Sequence, residues 1–136
     1  MKSAKRLSLF LVLVLVVSAG VFAQSRIIDR QKMTCSQALL RGGRNITYNV
    51  GDVWLYQYDD SSFQVAIHYL DGSQTEYIYL KNGYRQSSGS MIYDASMSTS
   101  EQRHIFNLRA EITGSGNVMT IYIYQDSALV FALTLK

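Results

Sequence analysis

From Ile46 onward, apolar and polar residues alternate in short runs rich in Tyr, Val, Ile and Thr, the period-two pattern of half-buried strands. Turn residues divide the runs. Asn49-Val50-Gly51-Asp52 separates a first strand near 46–50 from a second near 53–58, and Asp59-Asp60-Ser61-Ser62 leads into a third at 63–70. Asp71-Gly72 and Asn82-Gly83 are hairpin signals, because a type I′ turn needs positive φ at both central positions; they bracket a fourth strand at 75–81. A fifth runs over 84–93, interrupted at Ser87–Ser90, and after a polar segment at 94–103 a sixth spans 104–113. Gly114-Ser115-Gly116-Asn117 and Gln125-Asp126-Ser127 set off a seventh at 118–124 and an eighth at 128–135. Ahead of these, Thr34-Cys35-Ser36-Gln37 has capping-box spacing, Ala38-Leu39-Leu40 favour helix and Gly42-Gly43 would end one, so a short helix is expected near 35–41.

The expected fold class is therefore all-β: an antiparallel eight-stranded meander with a short N-terminal helical segment. Such a meander must close as a small barrel or fold as a two-layer sandwich to bury its faces and protect its edges. The barrel would be calycin-like in architecture only, since Gly51-Asp52-Val53-Trp54 is one residue longer than the Gly-x-Trp of that group. An outer-membrane barrel fits less well: its strands run to about 9–11 residues with a lipid-facing apolar side, and most of these runs are shorter and carry charge. Parity predicts the core. Phe63, Val65, Ile67 and Tyr69 alternate with polar partners, as do Phe106, Leu108, Ala110 and Ile112, and Leu129, Phe131, Leu133 and Leu135.

The opposite face carries the candidate chemistry. Tyr56-Gln57-Tyr58, Tyr77-Ile78-Tyr79 and Tyr122-Ile123-Tyr124 each place two tyrosines on one side of a strand, and Ile78, Leu80, Ile121 and Ile123 take the core side of the last two. Trp54 shares parity with Tyr56 and Tyr58, while His68 and Arg109 occupy non-core positions of their strands. A surface of Trp54, Tyr56, Tyr58, His68, Tyr77, Tyr79, Arg109, Tyr122 and Tyr124 has three readings. It is a solvent-facing sheet whose tyrosines gain from cross-strand pairing, a lumen or groove that stacks a flat, partly polar ligand, or an interface that meets a protein.

Charge and targeting narrow the setting. Lys2, Lys5 and Arg6 precede the apolar run Leu9–Val17, and Val21-Phe22-Ala23 offers a cleavage site, the layout of a secretory signal peptide over 1–23. An uncleaved N-terminal anchor is the alternative. Those three cations account for the whole formal charge of +3, so the cleaved chain is neutral. It then lacks the basic footprint of a nucleic-acid binder and has no helical segment long enough to span a membrane. The expected location is periplasmic or extracellular. Residues 24–44 form a basic segment, with Arg26, Arg30, Lys32, Arg41 and Arg44 against Asp29 alone, ahead of the all-β domain at 45–136. That segment is expected either to lie against the acidic body or to meet an anionic surface. Cys35 is the single cysteine, so no intrachain disulfide is possible. It is expected to be buried and inert, with an intermolecular bridge as the alternative.

Catalytic patterns are thin. His68 and His104 fall at opposite parity, no ligand spacing for a metal is found, and Gly114-Ser115-Gly116-Asn117 precedes a strand where a phosphate cradle needs a helix. Asn45-Ile46-Thr47 is a glycosylation sequon. The expectation is an exported, non-enzymatic protein without cofactor or metal, a carrier or sensor of a small apolar or aromatic ligand. The competing class is a cell-envelope structural or adaptor protein that docks another protein through the same face.

Overall fold

The computed structural model describes residues 26–99 and 103–136; the leader expected at 1–23 lies outside them. Among the described residues there are ten strands: β1 Ile27–Met33, β2 Cys35–Leu40, β3 Arg44–Asn45, β4 Val50–Tyr58, β5 Phe63–Tyr69, β6 Thr75–Arg85, β7 Met91–Thr99, β8 His104–Ser115, β9 Val118–Gln125 and β10 Ala128–Leu135. They form one antiparallel sheet in the order β1-β4-β5-β6-β7-β8-β9-β10-β2-β3. The order is open, with β1 at one edge and β3 at the other. From β4 to β10 every strand pairs with its neighbour in sequence, the meander that the turn spacing predicts.

Residues 35–40 are a strand and not the expected helix. β2 pairs with β10, Ala38 opposite Leu133 and Leu40 opposite Phe131, and Ala38 is fully buried. A capping box is worth about 1 kcal/mol, less than a strand's ladder together with a buried face. Among the described residues, helical geometry is confined to two 3-10 turns, Arg41–Gly43 and Thr47–Asn49, the second where a first strand is expected. The Thr47 hydroxyl there accepts the Ala38 N–H at 2.9 Å. The basic segment joins the same sheet through β1 and β2, and Arg26 and Lys32 pair with Asp59 and Asp52 at 3.9 and 3.4 Å.

Two further boundaries differ. Asn82-Gly83 does not turn the chain: β6 continues to Arg85 through a bulge between Lys81 and Tyr84, and the reversal comes at Gln86–Ser90. Asn82 does adopt φ +57, as a hairpin would ask, but Asp94 on β7 accepts its side-chain N–H at 2.9 Å and holds it in the ladder. The polar segment expected at 94–103 is strand as far as Thr99; Ser96 and Ser98 lie opposite Tyr79 and Tyr77, on the face away from the core, with Ser98 buried beneath its neighbours.

One face of the sheet is the core. Val53, Val65, Ile67, Ile78, Leu80, Ile121, Ile123, Phe131, Leu133 and Leu135 are buried almost completely, and Leu108 and Ala110 join them. Every inward position read from parity is buried or packed against this cluster except two. Phe106 is 64% exposed and Leu129 42%. Each sits beside a bulge, where one extra residue reverses the parity beyond it: Ala95 pairs with Leu108 but Met97 with Ile105, and Ile123 pairs with Phe131 but Tyr124 with Leu129. Asn107, at φ +61, is the residue that absorbs the first of these irregularities.

Candidate functional site

The tyrosine-bearing face is the side of the sheet opposite the core cluster. On it, aromatic and small residues alternate strand by strand. β4 presents Trp54 and Tyr56 with ring centroids 6.5 Å apart, and β6 presents Tyr77 and Tyr79 at the same separation. β5 lies between them and contributes Ala66, opposite both Trp54 and Tyr77, and Gln64, opposite both Tyr56 and Tyr79. Beyond β6, β7 contributes Ser98 and Ser96, and β8 contributes His104 and Phe106, stacked at 5.8 Å with planes 8° apart. The rings therefore stand in three rows on β4, β6 and β8. Adjacent strands are about 4.8 Å apart, so the rows flank troughs about 10 Å wide.

This surface carries a groove of about 750 Å³. Tyr58 and Tyr79 line one side and Phe106 the other, with Ser96, Lys81 and Asp94 between them. Leu80, Ala95 and Leu108 also line it, with side chains turned into the core. The groove lies where β7 is flanked by two bulges, one at Asn82 on β6 and one at Asn107 on β8. Tyr58 donates its hydroxyl to Gln64 Oε1 at 2.7 Å, which fixes its ring. Burial first, and then the neighbouring Tyr79, Tyr56 and Asp60, push its ionisation above the usual tyrosine range. It stays a neutral donor and acceptor at every physiological pH.

The structure brings some of the expected site residues together and separates others. Trp54, Tyr56, Tyr58, Tyr77 and Tyr79 share the β4–β6 surface. Arg109, Tyr122 and Tyr124 form a second group on β8 and β9, where the Arg109 guanidinium lies over the Tyr124 ring at 5.7 Å and Tyr122 stands opposite Glu111. His68 is exposed near the end of β5, its Nδ1 3.2 Å from the Thr75 hydroxyl, outside the groove. Sequence reasoning missed Phe106 and His104. The bulge at Asn107 that turns them outward has a trace in the sequence, an asparagine amid apolar alternation, but nothing marks it as left-handed.

A polar pair stands at the margin of the core. Glu76 lies on the inward side of β6 and receives the Tyr69 hydroxyl at 2.5 Å. Burial pushes the Glu76 carboxyl above the usual range, against the opposing pull of the Tyr69 hydrogen bond and the Arg103 charge. Burial together with the Glu76 charge pushes Tyr69 far upward as well. The folded state thus favours the protonated carboxyl. The stability this contributes is full below the ordinary glutamate range, about pH 4.3, and is lost as pH rises through the folded value. Glu76→Gln, which still accepts from Tyr69, is therefore expected to raise the Tm at pH 7–8 and to leave it unchanged near pH 3. A gain equal at both ends of a pH series of melting curves would refute this.

Cys35 is half-buried and its thiol is pushed up by burial, which leaves it a poor nucleophile. No group of three or more His, Cys, Asp and Glu residues suited to a metal ion occurs among the described residues. Searches against protein-family models, curated proteins and solved structures return no match to this chain.

Proposed function

We propose that this chain is an exported, non-enzymatic binding protein that holds a flat, partly polar small molecule in the groove between Tyr58, Tyr79 and Phe106. The carrying observation is the combination of three rings with hydroxyl, ammonium and carboxylate groups around one open space. Aromatic faces supply stacking area, and a few convergent polar groups fix orientation. Export rests on the leader pattern of residues 1–23.

The scaffold that we propose for this site is barrel-like, the open sheet rolled so that β1 and β2 act as one bent strand and eight strands surround the core. Thr34 alone separates them, yet β1 pairs with β4 and β2 with β10, at opposite ends of the sheet order. The Thr34 N–H donates to the Lys136 carbonyl and the Lys136 N–H to the Thr34 carbonyl, at 2.8 and 2.9 Å, so the chain changes partner within a single residue. Burial supports the same reading. A flat sheet cannot remove ten large side chains from water on one face without a second layer, and one cluster gathers residues from β1, β2 and β4 to β10. Eight strands enclose a space that side chains fill, which leaves the outer face and the ends for ligands.

Tyr79→Ala is expected to abolish the small molecule seen by native mass spectrometry of the exported protein, while changing stability by no more than about 1 kcal/mol, the scale of a cross-strand pair. Tyr124→Ala, outside the groove, should leave the ligand bound. Loss of a co-purifying protein in place of a small molecule would favour the adaptor reading, and no change in either would reduce the face to a sheet surface.

A further inference from the structure

A second space, of about 360 Å³, opens at the end of the core where β2 and β9 finish and β8 and β10 begin, and goes beyond the groove just described. Leu40, Met97, Ile105, Val130 and Phe131 give it an apolar lining drawn from β2, β7, β8 and β10. Arg41 and Arg44 stand at its margin. Gly42 and Gly43, at φ +78 and +80, turn the backbone between them in a conformation that other residues adopt only with strain. Both arginines are exposed, and neither forms an ion pair among the described residues, in contrast to Arg26 and Lys32 of the same basic segment. Arg41 reaches only the Gln125 side chain, at 3.5 Å.

The geometry points to a site for a single-chain anionic amphiphile, a fatty carboxylate whose tail fills the apolar space and whose carboxylate sits between Arg41 and Arg44. Guanidinium groups take carboxylates in paired, charge-assisted hydrogen bonds. Glu76, which also lines the space, sets the direction of entry. Its carboxyl already accepts the Tyr69 hydroxyl and offers no positive charge to a second carboxylate, so the head stays at the arginines and the tail goes in. A cationic amphiphile meets two like charges at the margin. A neutral one gains the tail contacts and loses the head.

The test is calorimetric titration of the purified protein with decanoate, decanol and decyltrimethylammonium, each as monomer in solution. Decanoate is expected to bind at least tenfold more tightly than decanol, with no binding of decyltrimethylammonium. From octanoate to decanoate the affinity should rise about fourfold per methylene until the space is full. In the double variant Arg41→Gln, Arg44→Gln, both at exposed positions, decanoate should fall to the decanol level with the Tm unchanged. Tyr79→Ala should leave decanoate binding intact, so failure of the aromatic groove and failure of this site remain distinguishable. Equal affinity for decanoate and decanol overturns the assignment, as does decanoate binding that survives the arginine changes. So does binding to phosphatidylglycerol vesicles without binding to monomeric decanoate, which would make the basic margin a membrane contact.

Discussion

Phe131→Ala should be the most damaging single truncation in the molecule, costing about 3–5 kcal/mol. Phe131 is 2% exposed and is the largest of the fully buried side chains. It sits at the middle of a three-strand junction, opposite Ile123 on β9 and opposite Leu40 on β2. That junction joins the meander to the N-terminal strands, so a cavity here weakens the contact that holds β2 in place. Against a typical domain stability of about 5–15 kcal/mol, the loss takes a large share of the total. Urea unfolding followed by circular dichroism should show the midpoint fall with the m value unchanged. Ile67→Val, a one-methylene change in the same core, should cost only about 0.5–1.5 kcal/mol. If Phe131→Ala cost no more than that, the junction would not be the keystone its burial implies.

What the sequence revealed and what it hid divide along a physical line. Parity along β5, β6, β9 and most of β10 was legible because strands with one buried face must alternate, and Val65, Ile67, Ile78, Ile121 and Leu133 all lie where alternation puts them. Glycine and aspartate marked the true turn at Asp71-Gly72, where Gly72 sits at φ +70. Bulges broke the reading. A bulge costs one residue of register and leaves almost no compositional mark, so parity alone places Phe106 and Leu129 inward and hides the aromatic row on β8. The 35–41 segment failed for the opposite reason. Its local preference for helix is genuine but small, and pairing with β10, nearly a hundred residues further on, outweighs it. The candidate groove was legible in part: Tyr58 and Tyr79 stood out by spacing, whereas Phe106, Asp94 and Lys81 join them only through long-range pairing.

Gly83 gives the sharpest test of the bulge that shapes one side of that groove. Its φ lies outside the left-handed region, so its backbone asks for no special residue. On that ground alone Gly83→Ala should stabilise the fold by about 0.4–1 kcal/mol through the unfolded chain. The contact reverses the sign. A Cβ at position 83 would collide with Cε1 of the Tyr93 ring and lie 2.7 Å from Cζ, far inside van der Waals contact. The ring has little freedom to move, since it is buried and packs edge-on against Phe63 at 5.9 Å. Gly83→Ala is therefore expected to destabilise by about 1–3 kcal/mol, the cost of overpacking, and Gly83→Val by more. A double-mutant cycle isolates the cause. Tyr93→Leu alone loses aromatic burial and lowers stability, but in that background Gly83→Ala should cost nothing and recover part of the backbone gain. If Gly83→Ala destabilises equally with and without the Tyr93 ring, the closeness of β6 to that ring is not what holds the bulge. The role would then belong to the hydrogen bond from Asn82 to Asp94.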